Sequence, residues 1–145
     1  MSEQDAILFA NETFYRAFAD RDVAAMEALW AQSAPVCCIH PGWEAIHGRD
    51  DVLASWRAIL TGSAPPQIDC ISPQAYFFGD AAFVVCFEGV DGNYLIATNY
   101  FVREDGRWRM VHHQAGPPRF TPEAVPPPAA TTATTATGLE SMLSE

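Results

Sequence analysis

Apolar side chains recur at helical spacing along the first part of the chain and alternate with polar ones further on, and this change of period divides the sequence in two. Within residues 4–19, Ile7, Ala10, Phe14, Ala17 and Phe18 form one stripe, which predicts a first helix that buries that face. Asp22 offers a side-chain acceptor at the start of a second, shorter helix whose buried side is Val23, Met26, Leu29 and Trp30. The run Pro35-Val-Cys-Cys-Ile-His40-Pro41 reads as a short strand stopped by Pro41 and Gly42. Gly48-Arg-Asp-Asp51 then opens a third helix with Val52, Leu53, Trp56, Ile59 and Leu60 at core spacing. Its acids stand where the positive end of the helix dipole favours them.

From residue 67 the alternation predicts strands over 67–78, 81–90, 93–103 and 107–115. The turn signals Gly79-Asp80, Asp91-Gly92-Asn93 and Glu104-Asp105-Gly106 separate them. Helices followed by a meander predict an α+β fold in which a curved antiparallel sheet covers the N-terminal helices. Residues 1–120 are expected to form one domain. Residues 121–145 are expected to be a flexible tail, since its Pro/Ala/Thr-rich composition holds too little apolar surface to offset the entropy of ordering; Gly138–Glu145 reads as a frayed end or a docking peptide.

Strand parity assigns faces. Along 107–115, Arg107, Arg109, Val111, His113 and Ala115 share one side, and Trp108, Met110, His112 and Gln114 the other. Arginines belong outside, so His112 is expected to face the helices and His113 the outer surface, an assignment that a one-residue bulge would invert. On 93–103, Leu95, Ala97, Asn99 and Phe101 oppose Tyr94, Ile96, Thr98, Tyr100 and Val102. Both faces are apolar, which suits a strand covered on its outer side by a second copy in a homodimer.

Composition narrows the partners. A net charge of −10 with only 8 basic residues excludes nucleic acid and anionic membrane, leaving a small-molecule ligand or another protein. The start MSEQDAILFANETFYRAF lacks the basic opening and apolar run of a secretory signal, and no apolar run reaches membrane-spanning length, so a cytoplasmic location is expected. Cys37, Cys38, Cys70 and Cys86 show no CxxC spacing and read as buried, reduced thiols without a metal or redox role.

The order of helix, helix, short strand ending His40-Pro41, a helix opened by Gly48-Arg49, and a meander closing on Trp108-Arg-Met-Val-His-His-Gln-Ala-Gly116 resembles the NTF2-like superfamily, particularly its SnoaL-like members, over residues 4–117. The resemblance implies a cystatin-like cone with a pocket between sheet and helices, commonly dimeric. Laid against ketosteroid isomerases, the basic aspartate before the proline corresponds to His40, the oxyanion-hole aspartic acid to Asn99, and the oxyanion tyrosine to Phe14 with Tyr15 adjacent. All three roles change residue type, which argues against steroid isomerisation. The last strand is also similar to that of the calcium/calmodulin-dependent kinase II association domain at Trp108, Val111, His112, Gly116 and Pro117, and that module assembles subunits without catalysis.

Histidine titrates near neutrality, so His40 at the base position can abstract a proton, Asn99 can donate to a carbonyl or enolate oxygen, and His112 can relay protons. Phe14, Tyr15, Trp43, Trp56, Phe101, Trp108 and Gln114 are the expected ligand contacts. A carboxylate partner is named by composition only, as Glu44 or Asp69. Equally, a neutral histidine at a strand end can bond to backbone or water and serve packing alone. No metal or cofactor is expected, because adjacent strand residues 112 and 113 point apart and cannot share one ion.

Two functions follow. One is a SnoaL-like pocket protein moving protons on a carbonyl or hydroxylated compound; the other is a non-catalytic dimerisation or ligand-sensing module. A histidine beside an open cavity favours the first, and an interior filled by Trp and Phe the second. Deleting residues 121–145 is expected to lower the melting temperature by less than about 5 °C, measured by thermal denaturation, because that segment has little to bury.

Overall fold

The computed structural model describes residues 1–64 and 66–124; the expected tail therefore lies outside the described residues from 125 onward. Helix α1 (Glu3–Ala19) starts in a capping box, in which the Ser2 hydroxyl accepts from the Asp5 amide and the Asp5 carboxylate from the Ser2 amide. Helix α2 (Val23–Leu29) is capped by Asp22, which accepts from the Ala25 amide at 3.0 Å. Helix α3 (Arg49–Leu60) follows Gly48, whose φ of 87° admits glycine without strain.

The strands are β1 (Cys37–Ile39), β2 (Ile46–His47), β3 (Ile68–Phe78), β4 (Ala81–Val90), β5 (Asn93–Glu104) and β6 (Arg107–Gly116). They form one sheet in the order β2-β1-β6-β5-β4-β3. The meander is antiparallel, but β1 runs parallel to β6, which corrects the expectation of a wholly antiparallel sheet. No hairpin ties β1 to β6, so nothing local forces them to run in opposite directions. Asp91 and Gly92, and again Asp105 and Gly106, all have positive φ and form tight turns whose twist matches that of their strands.

Two irregularities decide which side chains face the helices. In β3 the register shifts between Ile71 and Gln74, with Ser72 at a φ of 54°. In β6, Tyr100 pairs with His112 but Phe101 with Met110, so Val111 is an extra residue. Trp108 and Met110 point inward before this bulge, and His113 and Ala115 after it. The expected parity is thereby inverted. His113 is the inward histidine, while His112 stands opposite Tyr100 on the outer face, half-buried. Gln114 moves with His112 and is exposed opposite Thr98.

Between sheet and helices lie Ile7, Phe14 and Phe18 of α1, Met26, Leu29 and Trp30 around α2, Val52, Trp56 and Leu60 of α3, and the inner-face residues Val84, Phe101 and Met110. One cation and one anion fix the loop that leads from α2 to β1. The Arg49 guanidinium donates to the carbonyls of Trp30, Ala31 and Glu27 at 2.7, 2.9 and 3.0 Å. The Glu104 carboxylate accepts from the amides of Gln32, Ser33 and Ala34 at 2.9, 2.9 and 2.8 Å. Those amides, Ala34 foremost, hold the Glu104 carboxyl below its usual range. No helix among the described residues is long and apolar enough to cross a membrane.

Replacing Arg49 by Met is expected to lower the unfolding free energy by about 2–3 kcal/mol, because half-buried carbonyls lose a charged donor; urea denaturation measures it.

Candidate functional site

The inner face of β4 carries Ala82, Val84, Cys86 and Glu88, and this alternation places a carboxylate among apolar neighbours, 2% exposed. Glu88 is the carboxylate that composition did not identify: Glu44 and Asp69 are both exposed. Its signal was present in the sequence as a charged residue in phase with a buried stripe.

Around Glu88 the side chains of Asn11, Tyr15, Asn99 and His113 form one buried hydrogen-bonded network. The Asn99 amide donates to Asn11 Oδ1 at 2.8 Å and to the Tyr15 hydroxyl oxygen at 3.1 Å. Its carbonyl Oδ1 therefore accepts from His113 Nδ1–H at 2.6 Å, which fixes the tautomer and leaves the lone pair on Nε2. Tyr15 in turn donates to Glu88 Oε2 at 2.7 Å, and that same oxygen is 4.0 Å from His113 Nε2. Both amide hydrogens of Asn99 are engaged inside the protein, so the donation expected toward a ligand oxygen goes instead to Asn11 and Tyr15.

Burial drives each titratable member toward its neutral form. Desolvation raises the Glu88 carboxyl above its ordinary value, against the opposing Tyr15 hydrogen bond. Desolvation also lowers His113 to about 3, with repulsion from His40 and His112 adding to it, and lifts Tyr15 well above 10.

His40 lies apart from this network. Its ring meets Trp56 edge-on at 4.7 Å, and Trp56 is 5.8 Å from the His113 ring, so the indole adjoins both histidines. The Ser55 hydroxyl donates to the Val52 carbonyl at 2.7 Å, so its oxygen accepts from His40 Nε2–H at 3.0 Å. Burial lowers His40 to about 4. His112, expected in the pocket, instead donates through Nδ1 to the Cys37 carbonyl at 3.0 Å, since that oxygen can only accept.

Of the expected ligand contacts, Phe14, Trp56, Phe101 and Trp108 are core residues. Phe14 stacks edge-on against Trp56 at 5.2 Å, and Trp108 lies under the Arg103 guanidinium at 4.3 Å. Trp43 is 53% exposed and caps the His40 ring at 4.8 Å. Only Tyr15 joins the polar network.

Among the described residues, two surface clefts lie along helix α1. One, of about 460 Å³, runs between α1, α2 and the β5–β6 hairpin over Phe9, Leu29 and Trp108, with Arg103, Arg107 and Arg109 at its rim. The other, of about 300 Å³, is lined by Glu12, Tyr15, Arg16, Ala19, Ile68, Asp69 and Cys70, and it reaches the network at Tyr15. Cys70 pairs in register with Glu88, so the carboxyl lies directly behind this second cleft. Among the described residues no group of His, Cys, Asp and Glu is arranged to hold a metal ion.

The SnoaL-like domain family matches residues 7–119. The chain is 32% identical over 112 residues to the F-box protein SKIP8 of Arabidopsis thaliana, covering 76% of this chain and 48% of that protein, so it spans about half the length of that curated relative. Among solved structures, a Streptomyces avermitilis protein of the NTF2-like family, provisionally named a dehydratase, superposes with a TM-score of 0.73 at 27% identity, over 80% of this chain and 96% of its own. A Thiobacillus denitrificans protein, provisionally named a calcium/calmodulin-dependent protein kinase type II association domain, gives 0.68 at 30% identity, over 76% and 93%. The expected NTF2-like, cystatin-like α+β cone is thus the fold observed.

These protonation states fix the response to acid. Unfolded, each histidine takes up a proton near pH 6.5, whereas His113 and His40 stay neutral in the native chain until about 3 and about 4. The unfolded state then binds more protons, so stability falls as the pH drops from about 6.5 toward 4. Glu88 acts oppositely: its raised native value gives stability that is present at low pH and is lost as the pH rises through that value. Urea unfolding is expected to show lower stability at pH 5 than at pH 7. His113→Asn should flatten that slope and Glu88→Gln should steepen it.

Proposed function

This chain belongs to the SnoaL-like domain family, and on that basis we propose that it is a small-molecule pocket protein that transfers protons on a carbonyl or hydroxylated compound. The observation that carries the reading is the cleft ending on Tyr15, whose hydroxyl bonds directly to the buried Glu88. A ligand oxygen that takes the place of the Tyr15 bond meets a carboxyl held toward its protonated form, a proton donor. The free Nε2 lone pair of His113, 4.0 Å from that carboxyl oxygen, is the acceptor. Asn99 positions His113 by fixing its tautomer, and Arg16 on the cleft wall offers a charge to an anionic substituent. A dehydration, the reaction for which the Streptomyces avermitilis relative is named, calls for such a pair: a base for the carbon-bound proton and an acid for the departing hydroxyl.

The same reading makes the protein a cytoplasmic homodimer. The outer sheet face carries a row of rings, with Tyr76 stacked on Phe83 at 4.9 Å, Phe83 5.1 Å from Tyr100, and Tyr100 6.0 Å from His112. A second copy on this face would remove those half-exposed rings from water. The four free thiols suit a reducing compartment.

A non-catalytic assembly or ligand-sensing module is the second reading. It is favoured by the packing of Phe14 and Trp56 in the interior, and by the association domain after which the Thiobacillus denitrificans relative is named.

A thermal-shift screen of small carbonyl and hydroxylated compounds separates the two readings, because a ligand of the native state raises its apparent stability. Hits are expected to lose at least about tenfold in affinity in Glu88→Gln, the equivalent of one hydrogen bond to a charged or acidic group. Glu88→Gln itself is expected to fold with undiminished stability at pH 8. Compounds that shift wild type and variant equally would place the ligand elsewhere, and an absence of hits favours the assembly module. For the outer face, Phe83→Glu is expected to turn a dimer into a monomer by light scattering, with its circular dichroism unchanged; a monomeric wild-type chain at micromolar concentration removes the dimer.

A further inference from the structure

The larger cleft, of about 460 Å³, takes no part in the proton-transfer reading. Its volume falls within the range of about 300–1,000 Å³ that small-molecule sites occupy. Helix α1 supplies Ala6 and Phe9 to its apolar lining, α2 supplies Ala25 and Leu29, and β6 supplies Trp108. Phe9 is 58% exposed, so a large ring of the first helix is left to water here. The rim has the opposite character. Arg103, Arg107 and Arg109, three of the eight basic residues in a chain of net charge −10, line this one cleft. Arg103 lies over the Trp108 ring at 4.3 Å and pairs with the Glu3 carboxylate, while Arg109 donates to the Ala28 carbonyl. The Arg107 guanidinium is exposed and has no partner among the described residues. Glu104, opposite it in register, gives its carboxylate to the amides of Gln32, Ser33 and Ala34 instead.

We propose that this cleft binds an alkyl carboxylate, with its chain over Phe9, Leu29 and Trp108 and its head group on Arg103 and Arg107. The Glu3–Arg103 pair supports the choice of head group: α1 already sets one carboxylate on the rim, and the exposed Glu3 side chain can give way to a ligand. Arginine holds its charge at neutral pH and presents a planar fork of donors that matches a carboxylate. At physiological salt, exposed charges more than about 8 Å away are largely screened, so these arginines and not the net charge of the chain govern the rim. For the tail, the alanine methyls and Leu29 offer apolar surface from both helices, and the chain in turn covers the exposed Phe9 ring. An exposed ion pair alone contributes little. Tail burial therefore supplies most of the affinity, and the arginines select the charge.

The test titrates the full chain at pH 7 with hexanoate, octanoate and decanoate below their micelle-forming concentrations, by calorimetry and by the indole N–H resonances in nitrogen–proton NMR spectra. Saturable binding is expected, strengthening by up to about fourfold for each added methylene that is buried. The Trp108 indole resonance should move while that of Trp30, fully buried in the core, stays in place. Octyl alcohol, with the same tail and no charge, should bind about fivefold more weakly than octanoate, and Arg107→Gln should weaken octanoate by a similar factor. Glu3→Gln, which frees Arg103, should tighten it by about two- to fivefold. Arg16→Gln removes the same charge at the smaller cleft and should leave the affinity unchanged. All three variants replace exposed side chains, so each is expected to fold. Absence of saturable binding, or equal binding of octanoate and octyl alcohol, overturns the proposal. So does a loss of octanoate affinity in Arg16→Gln but not in Arg107→Gln, which would move the ligand to the smaller cleft. Glu88 and Tyr15 take part in none of these readouts, so the outcome stands apart from the proton-transfer reading.

Discussion

One unpaired residue, Val111, sets which side of the sheet each histidine serves. A strand reverses its side chains at every step, so one extra residue exchanges the faces of everything that follows. Trp108 and Met110 pack on the helices before the bulge. Without it His112 would follow them inward and His113 would face outward; with it, His113 comes opposite Asn99 and completes the buried network. The same residue turns His112 toward Tyr100 and the Cys37 carbonyl, where it ends the aromatic row on the outer face and braces the parallel β1–β6 pair.

What the bulge assembles is unfavourable for folding unless every member finds a partner. A carboxyl, a phenol, an imidazole and two amides lie buried at the centre of the cone, where an unpaired polar group costs about 1–3 kcal/mol. Directional bonding meets that cost: Asn99 uses both amide hydrogens and its carbonyl, and Tyr15 links Asn99 to Glu88. Coupling of this kind fixes tautomers and side-chain positions together. It also means that a ligand arriving through the cleft at Tyr15 must replace a hydrogen bond, which favours compounds carrying an oxygen over purely apolar ones.

Packing divides the interior. Trp56 adjoins His40 on one side and His113 on the other, and Phe14 meets the same indole edge-on. His40 thereby becomes a packed histidine bonded to Ser55, removed from the Glu88 carboxyl. The ketosteroid-isomerase correspondence placed the chemistry at His40, whereas the folded chain gathers its polar groups at Glu88, one layer away across Trp56. Family membership accounts for the cone; the side chains within it differ enough to move the polar centre.

The sequence alone determined the helices, the meander and the turns, because those depend on near neighbours: the stripe from Ile7 to Phe18, the Asp22 cap, and the Asp91-Gly92 and Asp105-Gly106 turns are local chemistry. It also grouped Ala97, Asn99 and Phe101 on one face, since β5 keeps its alternation unbroken across that stretch, and the fold turned that face inward. Glu88 was legible in principle, in phase with Ala82, Val84 and Cys86, but periodicity does not say which carboxylate in a chain rich in acids will be covered. Only the tertiary structure decided that His113 and not His112 faces inward, that β1 runs parallel to β6, and that Cys70, paired with Glu88, lines the cleft at Tyr15. Those outcomes rest on pairing between residues far apart in the chain, and a bulge is set by how two strands register against each other, which no local pattern in either strand records.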